Sequence, residues 1–177
     1  MMNSADLLLF YSKQVHTPMA MKSLYTGLLI FLLFFNAAGA FYGGASLLTD
    51  SSGASLHMST QVLAGSPFRN FFIPGIILVL VNGALPLVAG AGLLLRRPAA
   101  PLPGLPFWKN RHWAWTLSLA SGLGLMIWIA VQIAMLGYWP EVPIQAIYGA
   151  LGCAITALTL LPVVQRTYLL DQLQLLR

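Results

Sequence analysis

The side chains able to do chemistry are few, and they are widely spaced. Asn36 and Asn82 each sit near the middle of a long apolar stretch, and Gln132 sits in the outer half of a third. An amide in hydrocarbon is costly unless it is paired. Two amides at one depth can clasp neighbouring helices, or they can line a midplane site for a polar solute or ion. No charged residue accompanies them, which favours the clasp. A second set, Asp50, His57, Arg69 and Glu141, flanks the same stretches and marks an outer-face interaction loop.

Other chemistries lack their residues. His16, His57 and His112 have no metal-ligand spacing to one another. The single Cys153 excludes an internal disulfide and the paired thiols of a quinone-linked thiol oxidoreductase. There is no glycine-rich phosphate loop with its lysine, no nucleophile elbow, and no aspartate inside an apolar stretch. No catalytic, cofactor-binding or metal-binding residue is therefore expected, and no cofactor.

The elements that position these residues follow from composition. Of 177 residues, 58% are hydrophobic and 7% charged, against about 25% charged in soluble domains. So few charges cannot cover a water-facing surface. A membrane-crossing helix needs about 20 apolar residues, and four stretches qualify, at about 25–48, 71–95, 113–137 and 143–164. None contains Asp, Glu, Lys, Arg or His. The expected fold is all-α, an integral membrane four-helix bundle over 25–164, with cytoplasmic tails at 1–24 and 165–177. Lys13, Lys22, Arg96, Arg97, Lys109, Arg111, Arg166 and Arg177 fall on one side of this arrangement, and only Arg69 falls on the other. Basic residues stay in the cytoplasm, so both termini are expected inside. The same topology accounts for the net charge of +5 without invoking nucleic acid. Trp108, Trp113 and Trp115 are expected to mark the inner interface, and Tyr138 and Trp139 the outer one. The first span has a competing reading as a signal peptide, with Lys22 as its charged region and Ala38-Gly39-Ala40 as a cleavage site. The adopted reading keeps it uncleaved.

Local signals refine the picture. A helical proline leaves the carbonyl four residues earlier without its N–H partner, so Pro86 frees the carbonyl of Asn82. The second helix is expected to kink near Asn82-Pro86, and Pro162 to bend or end the fourth. In the outer connection, Asp50-Ser51-Ser52-Gly53 is turn-prone. Ser59 is placed to cap a short helix over 60–64, and Leu56, Met58, Val62 and Leu63 suit the bundle's outer mouth. Gln145 is expected at a loop-facing or interfacial position. Gly39 with Gly43, Ser118 with Gly122, Ala120 with Gly124, and Ala146 with Ala150 and Ala154 are spaced for close helix approach.

The outer loop and second span resemble a family of small bacterial four-helix membrane proteins that has no assigned activity. The resemblance lies in Asp50-Ser51-Ser52-Gly53, Leu56-His57-Met58-Ser59, Leu63-Ala64-Gly65-Ser66-Pro67-Phe68, Ile73-Pro74-Gly75 and Asn82-Gly83. The chain departs from the family pattern at Ser51, His57 and Ser59. A looser likeness to DoxX-type membrane proteins rests on size and span count. These resemblances imply topology and a bacterial plasma membrane, and no activity.

The expected function is that of a structural or accessory membrane protein without intrinsic catalysis. Its partners would be membrane lipid, a larger membrane protein complex or further copies of itself, with no nucleic acid. A small oligomeric transporter or channel using Asn36, Asn82 and Gln132 is the alternative. An enzyme with an outer-face site around His57 and Glu141 comes third.

Overall fold

The structure, a computed structural model, describes residues 19–95, 111–140 and 143–169, with side chains from Leu24 onward. The described residues are helical, apart from connecting turns and one isolated bridge between Arg111 and Leu169. Helix α1 is Met19–Thr49. Helix α2 spans Phe72–Leu95, α3 is Trp113–Leu136 and α4 is Ile144–Leu160. A short helix, α5, follows at Pro162–Thr167. Helix α1 packs on α2 and α4, and α3 packs on the same two, so the four long helices form a ring around one core. Leu29, Leu33, Leu93, Trp115, Leu125 and Ile155 are the large buried side chains of that core.

Three helices are long and apolar enough to cross a membrane: α1 over Leu24–Thr49, α2 and α3. Their outward faces carry large apolar side chains, among them Phe31, Ile73, Leu80 and Ile127, all at least half exposed. Such surface is stable only against lipid or another apolar partner. Helix α4 is also apolar but has 17 residues, a rise of about 25 Å. It is shorter than the expected 143–164 because Pro162 interrupts it. The backbone turns extended at Leu161, with ψ of 131°, and Pro162 then opens α5 at a position where its missing N–H costs nothing.

Helix α2 is irregular where Pro86 requires it. Its turns are α-helical at Phe72–Ile77, π-helical at Leu78–Ala84, and α-helical again at Leu85–Leu95. The Leu85 N–H reaches back five residues to the Leu80 carbonyl. The expected break therefore takes the form of widened turns just upstream of the proline.

The connection between α1 and α2 is built rather than slack. The Asp50 carboxylate accepts the backbone N–H of Ser52 at 3.1 Å and of Ser55 at 2.9 Å, and the Ser52 hydroxyl at 2.5 Å. Gly53 has φ of +83°, and a Cβ there would meet the Phe71 ring at 2.7 Å, so only glycine fits. Ser59 caps a 3₁₀ turn over Thr60–Leu63 through the Gln61 N–H, as its sequence context predicts. Leu63 is buried with Leu47 and Phe71, which seats the loop on the adjoining ends of α1 and α2.

Close packing between α3 and α4 depends on two glycines. A Cβ on Gly122 would overlap the Thr156 hydroxyl and lie 2.9 Å from the Thr156 backbone nitrogen. A Cβ on Gly152 would lie 3.2 Å from the Gly122 carbonyl. Backbone cannot yield as a side-chain tip does. Gly124 differs, because its nearest neighbour would be Val81 at an ordinary 3.5 Å. Gly122→Ala is accordingly predicted to destabilise by about 1–3 kcal/mol through overpacking. Gly124→Ala should be neutral or stabilising by up to about 1 kcal/mol from helix propensity. Unfolding of both variants in one detergent checks the contrast.

Candidate functional site

The two asparagines meet, in an arrangement the side-chain types alone did not specify. Asn36 Nδ2 donates to the backbone carbonyl of Asn82 at 3.2 Å, with Asn36 0% and Asn82 1% exposed. The acceptor is the carbonyl that Pro86 cannot serve. In hydrocarbon every backbone polar group must be satisfied within the protein, and here a side chain of α1 donates to a carbonyl that the proline does not serve. The contact also orients the Asn36 amide, since an amide oxygen would not face a carbonyl oxygen. Asn36 Oδ1 and both side-chain polar atoms of Asn82 remain buried without a partner among the described residues.

Gln132 is not part of this junction. Gly124 is the α3 residue that faces Val81, so the Asn82 level lies near it. Gln132 is eight residues further along α3, about 12 Å toward its C-terminal end, and is half-buried. The expected three-residue set therefore reduces to a pair. Gln145, by contrast, takes a structural role. It is buried at the start of α4, donates to the Gly137 carbonyl at 3.0 Å and accepts the Trp139 N–H at 2.9 Å, locking the α3–α4 turn.

On the loop between α1 and α2 the candidates have separate duties. Asp50 is spent on the loop's own N–H and hydroxyl donors. His57 is exposed in the left-handed region, with φ of 56°, at the end of the first 3₁₀ turn, Ala54–Leu56. Arg69 is exposed and forms no ion pair with a described residue. It borders a cleft of about 300 Å³ with Pro67, Phe68, Asn70 and Ile73. Glu141 and His16 lie outside the described residues. Among the described residues no three His, Cys, Asp or Glu side chains gather as metal ligands. Cys153 is exposed on α4.

The end of the bundle where α3 begins and α4 finishes holds a cluster that pattern reading missed. Trp115, expected in the interfacial belt, is fully buried and donates Nε1 to the Thr159 carbonyl at 2.8 Å. The Arg111 guanidinium lies 4.6 Å above its ring and donates to the Gln165 carbonyl at 3.2 Å and to Gln165 Oε1 at 2.8 Å. His112 caps α3 by accepting the Ala114 N–H at Nδ1, and its backbone N–H donates to the Tyr168 carbonyl. The buried Tyr168 hydroxyl donates to the Leu93 carbonyl at 3.0 Å. This lacing binds the ends of α2, α3 and α4 to the segment after Pro162. The readable signal was the helix-breaking proline with a tyrosine six residues on, but no spacing rule names the carbonyls they serve.

Two predictions follow from these geometries. Asn36→Leu strips the Asn82 carbonyl of its donor and should destabilise by about 1–3 kcal/mol, whereas Asn82→Leu keeps the acceptor and should cost less. Equilibrium unfolding of both variants in one detergent tests the order. For the loop, hydrogen bonds from Ser52 and Ser55 hold the Asp50 carboxyl below its ordinary 3.8. A depressed carboxylate contributes loop stability above the unfolded value and loses it as pH falls through the folded one. Amide-exchange protection at Ser52 and Ser55 should therefore be level above about pH 4, weaken only in stronger acid, and be lost at all pH values in Asp50→Ala.

No protein-family model, no curated protein and no solved structure matches the chain, so its function has to be argued from the geometry of its own side chains.

Proposed function

We propose that the chain is a small integral protein of the bacterial plasma membrane with four spans and both termini in the cytoplasm. On this reading it has no intrinsic catalysis and serves as a structural or accessory protein that binds membrane lipid or a partner membrane protein. The basic-residue asymmetry supports the orientation. The apolar character of α4, with its length of 17 residues, supports a fourth span that crosses a thinned or slightly adjusted bilayer.

The observation that carries the functional reading is the contrast within the outer loop. Its backbone is held by inward bonds from Asp50, a required glycine and a capped turn, while Arg69 stands outward beside a cleft without an ion-pair partner among the described residues. A rigid loop that spends its polar groups on itself and leaves Arg69 without an ion-pair partner among the described residues is suited to an external partner. The guanidinium fork matches phosphate or carboxylate. Below it the exposed side chains of Ile73, Ile76 and Leu80 continue down α2 as apolar surface. The alternative, a small oligomeric transporter or channel, draws on the unpartnered amide atoms of Asn36 and Asn82. It requires a solute-dependent activity that Asn82→Leu abolishes.

Isolation from native membranes in mild detergent tests the accessory reading. The expected result is co-purification with a larger membrane protein or with retained phospholipid, reduced in Arg69→Glu. A lone, lipid-free monomer from both wild type and variant would contradict it.

A further inference from the structure

The segment just ahead of α2 presents a cation on a fixed frame. Ser66 Oγ accepts the Phe68 N–H at 3.2 Å, the Phe71 N–H donates to the Ser51 carbonyl at 2.9 Å, and Asn70 Oδ1 accepts the Phe72 N–H at 3.1 Å. The backbone on both sides of Arg69 is thereby held, and Pro67 stiffens the approach to it. Arg69 is exposed and borders the cleft with Pro67, Phe68, Asn70 and Ile73. Asn70 spends Oδ1 on the helix start, while its Nδ2 forms no hydrogen bond with a described residue. The cleft is thus bordered by two kinds of donor, a guanidinium and an amide, and by no carboxylate.

We infer that this cleft seats the phosphate of an anionic glycerophospholipid without a headgroup amine, of the phosphatidylglycerol type, with an acyl chain laid along Ile73, Ile76 and Leu80. The inference rests on the accessory reading above and names the lipid that it calls for. Depth supports it. The 24 residues of Phe72–Leu95 rise about 36 Å, against about 30 Å of hydrocarbon. The ends of α2 therefore reach into the headgroup layers, and Arg69, three residues before its start, stands at the depth of lipid phosphates. A guanidinium fork pairs with phosphate oxygens through charge-assisted bonds, and the Asn70 amide adds donors beside it. Because the frame is already rigid, little ordering cost opposes the contact.

The apolar part matches as well. Ile73, Ile76 and Leu80 are three and four residues apart, so they follow one face of the helix, and all three are exposed. From Ile73 to Leu80 the helix rises about 10 Å, most of the roughly 15 Å depth of one leaflet. An ethanolamine headgroup fits less well. Its ammonium would lie near the guanidinium, a like charge, and Asp50, the only acidic side chain among the described residues, has its carboxylate bonded to Ser52 and Ser55. A protein partner fits less well too. Protein contacts take about 20–30 residues a side, whereas five residues border this cleft.

Native mass spectrometry of the full chain in detergent, titrated with phosphatidylglycerol or with phosphatidylethanolamine of the same acyl chains, provides the test. Wild type should hold one phosphatidylglycerol several-fold more tightly than phosphatidylethanolamine. Arg69→Gln should weaken that binding about tenfold through loss of the charge-assisted contact. Arg166, exposed on α5 at the opposite end of α2, is the control. Arg166→Gln removes the same charge and should change the affinity by less than about twofold, as expected for a distant site. Equal weakening by the two variants would mean attraction to net charge alone and overturn the inference. Equal affinity for the two lipids, or for glycerol 3-phosphate and the intact lipid, would also overturn it. If Arg69→Gln leaves phosphatidylglycerol binding unchanged while Arg69→Glu loses a co-purifying membrane protein, the lipid assignment falls and the accessory reading stands. If neither changes and no partner is retained, both fall.

Discussion

One carbonyl sets the terms for this structure. Pro86 cannot donate to the Asn82 carbonyl, and that carbonyl is buried in a part of the chain that lipid and protein shield from water. Hydrocarbon offers no replacement donor. The chain answers with a side chain from another helix, Asn36 of α1, at 3.2 Å. This bond fixes the depth at which α1 and α2 cross. A shift of one residue on either helix would turn the amide away by about 100°. The π-helical turns at Leu78–Ala84 lie directly before the proline and carry Asn82 into the packed interior.

The same logic recurs at both ends of the ring of helices. Helix ends leave carbonyls and N–H groups unserved, and here side chains from distant segments serve them. Gln145 holds the Gly137 carbonyl and the Trp139 N–H at the α3–α4 turn. Tyr168 and Trp115 serve the Leu93 and Thr159 carbonyls at the opposite end. Between these ends, apolar packing provides cohesion, and Gly122 and Gly152 let α3 and α4 approach closely enough for it. Polar side chains in this protein therefore act mainly as fasteners. That explains how so few of them suffice, and why the outward Arg69 stands out.

How far the sequence predicted this depended on the kind of information each feature needed. Helix existence is a matter of apolar run length, and α1, α2 and α3 match the expected spans within a few residues at the membrane-crossing part. Proline chemistry is local, so the break before Pro86 and the interruption at Pro162 were both legible. The partner of Asn36 was half legible. Equal depth suggested an amide pair, and the freed Asn82 carbonyl was foreseen, but joining the two required the rotation of each helix about its axis. Trp115 shows the opposite failure. Aromatic belts are a statistical tendency, and a tryptophan one turn inside a helix end can face lipid or core. Only the packing of α4 against α3, with the Thr159 carbonyl within reach, places it inside. Gln132 was grouped with the asparagines on polarity alone, and helix register separates them.

The central claim is that Asn36 exists to serve the carbonyl that Pro86 releases. A double-mutant cycle with Asn36→Leu and Pro86→Ala, followed by equilibrium unfolding in one detergent, tests it most directly. Alanine at position 86 restores an N–H able to bond the Asn82 carbonyl. The cost of Asn36→Leu should then fall by at least about 1 kcal/mol in the Pro86→Ala background, a coupling expected of residues that share one partner. Costs that add to within about 0.5 kcal/mol would show that the two residues act independently, and would contradict the account.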